Sequence, residues 1–322
     1  MKLLFRIGAG LLGVAGVAAV AFLGDHMLDA HGRDRFIREG SRAGPVRVTD
    51  FGPLPDELDE SSGLAASIAH PGVFWSHNDS GDEPRLYAVD TTATLISTVN
   101  VGGARAVDWE ALDIGTCPLE EEPPDAWCLY VADTGNNARR RQTVSVYVVP
   151  EPDPRAERGS VDALGAVRFS YADGPTDAEA IAITAEGDLI VVTKWGAPRV
   201  VLHRIPAVDV RRALSGGDTL RLGPGRELPI RSDFMLGGVV TGAALDGDEA
   251  ILAVRTYSEL YFFAWPLTVS VLEGAPRCFL GGLQVQGEAV DLLPDGRALL
   301  SSESPGGASS RLLAVTCAGV AG

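Results

Sequence analysis

Carboxylates recur at one point of a repeated phrase. Glu60 opens ESSGLAAS, Glu110 lies in DWEALDIG, Glu179 in DAEAIAIT and Glu288 in GEAVDLLP, while Thr241 stands at the matching point of TGAALD. Each phrase runs through a small-apolar strand and a tight turn into a second strand with a polar end. Those ends carry His77-Asn78-Asp79, Asp133, Lys194, Arg255 and Glu303. Carboxylates that converge on one place suit a hard cation, since Ca²⁺ takes about six to eight oxygens from carboxylates, amides and carbonyls. The candidate ligands are Glu60, Asn78, Asp79, Asp108, Glu110, Asp133 and Asn137, with Glu179, Lys194, Arg255, Glu288 and Glu303 completing a ligand-binding face. Without a cation, like charges raise one another's pKa values and can create a general acid–base pair. Glu110 is then the candidate base. The competing reading is structural: an acid heading an inner strand accepts backbone N–H groups from the neighbouring repeat.

Other chemistries find no support. His26, His31, His70, His77 and His203 show no H-E-x-x-H spacing, and no G-x-S-x-G elbow occurs. Gly8–Gly13 matches G-x-G-x-x-G, but it lies in an apolar N-terminal stretch without the strand and βαβ unit that dinucleotide binding requires. Arg139–Arg141 and Glu120–Glu122 read as solvated loops.

The elements that must position these acids follow from the repeat itself. An all-β phrase repeated along the chain is the signature of a β-propeller, and the turn-rich composition (38 Gly, 20 Pro) agrees. Five starts predict five four-stranded blades. The long interval between Glu110 and Glu179 and the segment 206–240 leave room for a sixth. The last repeat holds only three strands, so the early strand Val46–Phe51 is expected to close the ring as its outer strand, removing open edges. In a blade the first strand crosses from one face to the other and the second returns. Strand heads and second-strand ends should therefore share one face.

Composition bounds the rest. A formal net charge of −16 argues against nucleic-acid partners. Lys2 and Arg6 precede apolar Ile7–Leu23, with Asp25 and Asp29 after it, which predicts export to a periplasmic or extracellular location. That stretch is shorter than the ~20 residues of a spanning helix. It reads equally as a cleaved signal peptide or an anchor, the chain's sole route to a membrane. Residues 1–23 are thus the signal or anchor, 24–44 a polar stalk and 45–322 the propeller. The four cysteines agree with export: Cys117 and Cys128 bracket a loop between two strands, leaving Cys278 and Cys317 to tie the last two repeats.

LYVADTGNNAR at 129–139 resembles an NHL-type propeller repeat. The Glu-led strand starts, with HNDSG and LYAVD, resemble the exported propellers that include gluconolactonase-like and SdiA-regulated-like proteins. The resemblance implies a Ca²⁺-dependent hydrolase using a Glu, an Asn and an Asp around the channel, which points to Glu60, Asn78 or Asn137, and Asp133. The expected function is an exported propeller that binds a cation, calcium by its ligands, and an unidentified ligand on the acid-rich face. The alternative is a Ca²⁺-dependent hydrolase of a lactone or phosphoester.

Overall fold

The computed structural model describes residues 46–156, 159–194, 199–230, 237–267, 277–284, 286–303 and 310–317. The predicted signal or anchor and the polar stalk lie outside the described residues. Among the described residues no helix is long and apolar enough to cross a membrane.

Five antiparallel blades form a closed ring. Strand β1 (Val46–Pro53) comes first in the chain and serves the last blade. Blade one is β2 (Ser61–Ala66), β3 (Val73–Asn78), β4 (Arg85–Asp90) and β5 (Leu95–Gly102). Blade two is β6 (Ala111–Thr116), β7 (Trp127–Asp133), β8 (Val144–Pro150) and, after the short β9 (Ser160–Asp162), β10 (Gly165–Tyr171). Blade three is β11 (Ala178–Ile183), β12 (Leu189–Thr193), β13 (Val200–Ile205) and β15 (Arg226–Leu228), with α1 (Ala207–Leu214) and β14 (Leu220–Leu222) between the last two. Blade four is β16 (Val240–Leu245), β17 (Ile251–Thr256), β18 (Glu259–Ala264) and β19 (Arg277–Phe279). Blade five is β20 (Gly287–Leu292), β21 (Ala298–Ser302) and β22 (Arg311–Cys317), and β1 pairs antiparallel with β22 from Val46↔Cys317 to Pro53↔Arg311. The ring closes as the repeat count required.

The extra length that left room for a sixth blade goes to edges. Strand β9 adds in parallel to β5, β14 adds in parallel to β10, and α1 packs Val210 and Ala213 into the core beside β10. This helix was not anticipated, because eight residues are too few to fix a helical period from sequence.

The core is divided into slabs between blades. Trp75, Trp109 and Val131 fill the gap between blades one and two, Tyr130, Phe169 and Ile181 that between two and three, and Val192, Tyr261 and Phe263 that between three and four. Phe262 and Leu300 join four to five, and Phe74, Tyr87 and Leu299 join five to one. Both faces of a blade are covered, so β3, β11 and β12 are buried at every position, β12 (LIVVT) as an apolar run. Burying each such large side chain stabilises by about 1.5–3 kcal/mol.

Covalent and polar ties reinforce the interfaces. Cys117–Cys128 closes the β6–β7 hairpin, and Cys278–Cys317 joins blade four to blade five. The blade-to-blade N–H acceptor role expected for the strand-head glutamates belongs to other acids. Asp113 accepts from Ile183 N–H of the next blade (2.6 Å), and Asp291 accepts from Ala66 N–H across the ring closure (2.6 Å). Each lies three residues beyond a strand-head glutamate.

Candidate functional site

The register of the inner strands fixes which residues are equivalent. Blades one, three, four and five each carry a bulge at the head of the inner strand, spanning Ser61/Gly63, Ala178/Ala180, Val240/Gly242 and Gly287/Val290. Ser62, Glu179, Thr241 and Glu288 sit in those bulges, and Glu110 immediately precedes β6 with its N–H donating to Ala132 C=O (2.9 Å). The counterpart of Glu110 in blade one is therefore Ser62, not Glu60. Glu60 lies two residues earlier, level with Asp108, Asp177 and Gln286. Its carbonyl accepts from Asp79 N–H (2.9 Å), just as Asp177 accepts from Lys194 (3.0 Å) and Gln286 from Glu303 (3.0 Å). A slip of two residues preserves strand alternation, so the apolar pattern cannot detect it. The dipeptide Ser62-Gly63 does match Thr241-Gly242, and that was the available signal.

The residue following the second strand is then Asp79, Lys194, Tyr257 or Glu303 in blades one, three, four and five. In blade two the position belongs to Gly135, whose N–H donates to Asp108 C=O (3.1 Å). Heads and second-strand ends do meet at one mouth of the central channel. There Asp79, Asp108 and Glu110 bring carboxylate oxygens within 4.8 Å of one another, and so do Glu110, Asp177 and Glu179. Lys194 forms an ion pair with Glu179 and also faces Glu110 and Asp177. Tyr257 faces Glu288, Lys194, Glu179 and Glu303, while Gln286 donates to Glu303.

Burial in this crowd holds protons on the acids. Desolvation, then the Asp108 charge, pushes Asp79 up to about 7. Desolvation followed by Asp177 pushes Asp108 up to about 6. Glu110, Glu179 and Glu303 rise well above the carboxylate range, first from desolvation. Asp177 and Glu288 also rise, again chiefly through burial. Burial alone would lower Lys194, but Glu179 and Glu110 reverse this and hold the ammonium well above its usual range.

Three features fit the two triads to a hard cation. The donors are all oxygens. Glu110 is only 3% exposed and its carboxylate accepts no hydrogen bond from a described residue, and Asp177 Oδ2 is buried without a partner. A methyl group at Gly135 would stand 2.1 Å from Glu110 Oε1 and 2.4 Å from Asp108 Oδ2, so the glycine makes room for both carboxylates.

The remaining expected residues are placed as follows. Glu60 is exposed at the rim. Asn78 spends its amide locally, Oδ1 accepting from Glu60 N–H (3.1 Å) and Nδ2 donating to Glu57 C=O (2.9 Å). Asp133 accepts from Asp108 N–H (2.9 Å) and from Arg141 (2.7 Å), so it positions Asp108. Asn137 is exposed on the following loop, whereas Asn136 is buried and organises that loop, accepting from Arg140 and Arg141 N–H and donating its own N–H to Asp177 Oδ1 (2.6 Å). Arg255 is buried between blades four and five, donating to Ala289 C=O (2.5 Å), Ser301 C=O (2.8 Å) and Gln284 Oε1 (2.7 Å). Its place at the mouth is taken by Tyr257, because the positive-φ residue of the β16–β17 turn is Glu249 and a count from Gly247 stops two residues short. Asp177, Tyr257 and Gln286 were not anticipated. The D-x-E of Asp108–Glu110 recurs as Asp177–Glu179, and this repeat could have revealed Asp177.

No protein-family description matches the chain, and none of the curated proteins compared with it does. Solved structures of similar course include the major allergen Mala s 1 of Malassezia sympodialis (13% identity, TM-score 0.49, covering 85% of this chain and 95% of that one). A PQQ-bound aldose sugar dehydrogenase from Streptomyces coelicolor is similar at 12% identity and TM-score 0.47, covering 84% and 98%. A gluconolactonase from Xanthomonas campestris is similar at 14% identity and TM-score 0.40, covering 85% and 82%. None of them assigns a ligand or reaction to this chain.

Proposed function

We propose that the protein binds a divalent cation, calcium by its ligand chemistry, at the acid-lined mouth, and holds an oxygen-rich ligand against it. The observation that carries this reading is Glu110. Its carboxylate is buried, without a hydrogen-bond donor among the described residues, and shared by both triads. A carboxylate left in that state costs several kcal/mol unless a proton or a cation joins it. A bound Ca²⁺ offers both the missing charge and open positions for a ligand's oxygens.

The test is thermal unfolding of the purified protein with Ca²⁺ or with a chelator. Ca²⁺ is expected to raise the Tm, and Glu110→Gln to abolish the rise while leaving the fold intact. No shift with Ca²⁺ or Mg²⁺ would make the acids protonated structural groups and sink the reading.

A second reading, hydrolysis of a lactone or phosphoester, draws on the same residue. Glu110 stays basic enough to take a proton from water beside the ion, and the ion would lower that water's pKa. A lactone and phosphoester panel, run on wild type and Glu110→Gln, separates catalyst from binder.

A further inference from the structure

The two triads that share Glu110 differ in one respect. Among the described residues, no acid of the Asp79–Asp108–Glu110 triad is ion-paired to an ammonium, whereas in the second triad Glu179 is ion-paired to Lys194, which Glu110 and Asp177 also stabilise electrostatically. Lys194 occupies the second-strand end, where blades one, four and five place the oxygen-bearing Asp79, Tyr257 and Glu303. It is one of only two lysines in a chain that otherwise uses arginine, and the other is Lys2. A compact, point-like ammonium can sit among three carboxylates as a metal ion does; a planar guanidinium cannot. Its side chain is 14% exposed and Glu179's is 2% exposed, so the pair is shielded from competing ions. Asp177 Oδ2, buried and without a partner, shows that this triad has a coordination position to spare.

We propose that the Lys194 ammonium is a resident cation filling the Glu110–Asp177–Glu179 triad in place of a second divalent ion. Metal binding is thereby confined to Asp79, Asp108 and Glu110, off the ring axis toward blades one and two. A divalent ion in the second triad would have to share Glu179 with the ammonium already paired to it. The proposal deepens the cation reading given above, but concerns a different triad and can fail separately.

The experiment counts Ca²⁺ by isothermal titration calorimetry on the full chain, for wild type and Lys194→Met. The variant is expected to bind one more Ca²⁺ than wild type, and Lys194→Met/Asp177→Asn to return to the wild-type number. Equal stoichiometry in wild type and Lys194→Met overturns the proposal, as does an extra ion that survives Asp177→Asn. If wild type binds none and Lys194→Met binds one, the cation reading of the first triad falls and this inference stands. If both bind one, the outcome is reversed.

A measurement on unmodified protein covers the case of a variant that does not fold. Acetic anhydride labelling, read by mass spectrometry, should leave Lys194 unmodified with or without Ca²⁺. Lys2 serves as the labelling control. Labelling of Lys194 in either condition overturns the proposal, since a resident cation is neither free nor displaced.

Discussion

Asp79→Asn should stabilise the metal-free protein at neutral and mildly alkaline pH and do far less at pH 5. Asp79 titrates near 3.8 when exposed and is pushed up to about 7 by burial and by Asp108. Its folded-state pKa is raised, so folding takes up a proton between these values, and stability falls as pH climbs from about 4 to 7. A rise from 3.8 to about 7 corresponds to about 4 kcal/mol, each pH unit being worth about 1.36 kcal/mol. For a domain of this size that is roughly 8 °C in Tm, at about 2 °C per kcal/mol. Asparagine keeps the acceptor for Ser80 N–H but carries no charge. The gain should therefore be about 1.6 kcal/mol at pH 5, grow through pH 7 and level off by pH 8. His77 and His203, both held below their usual pKa chiefly by burial, act in the opposite sense as pH falls. They cancel when the variant is compared with wild type at each pH. The assay is thermal unfolding by circular dichroism in chelator from pH 5 to 8.5. A difference that is flat with pH, or an asparagine variant less stable at pH 8, would refute the reasoning. Adding Ca²⁺ should reverse the sign at pH 8, because the ion then uses the charge that asparagine lacks.

Three further outcomes are expected. Gly135→Ala should push Asp108 and Glu110 apart and reduce the Ca²⁺-induced rise in Tm at least severalfold, while Gly223→Ala, with no atom near its added carbon, should leave it unchanged. Replacing Cys278 and Cys317 by serine should cost about 4 kcal/mol and the Cys117/Cys128 pair about 3, because the closed chain spans 39 residues in the first case and 11 in the second; urea unfolding of the two double variants gives the order. Deleting residues 46–53 should expose the edge of β22, seen as a Tm loss of more than 10 °C with aggregation in light scattering, since the whole β1 ladder is removed.

Much of the frame could be read along the chain. The four strands of blade one (GLAAS, VFWSHND, RLYAVD, LISTVNV) fall where the pattern placed them, and so does the Velcro-like closure by Val46–Pro53. The turns at Gly72, Gly187 and Gly296 carry the positive φ that a tight hairpin requires. The cysteine pairs were legible because adjacency in the repeat meant adjacency in space. Equivalence between blades was harder to read. Aligning Glu60 with Glu110 is right in face but shifted by one full pleat, and aligning Arg255 with Lys194 counts from Gly247 where Glu249 takes the positive-φ place in the turn. Asn78 and Asp133 have the residue types of metal ligands, yet their lone pairs are committed to Glu60 N–H, Asp108 N–H and Arg141.

What the sequence determined alone was periodic: five apolar phrases, five strand heads and hence a ring with an acid-rich mouth. Strand alternation and turn chemistry are local, and a repeat multiplies their signal until architecture follows. Which acids meet was decided only by tertiary structure. That depends on bulges that advance one strand against another and on a glycine at residue 135 that lets two carboxylates approach. It also depends on the ring bringing Asp79, Lys194 and Glu288 together from blades far apart in the chain. Convergence across a ring axis leaves no trace in any stretch of sequence, because each blade contributes one to three side chains and none contains the site.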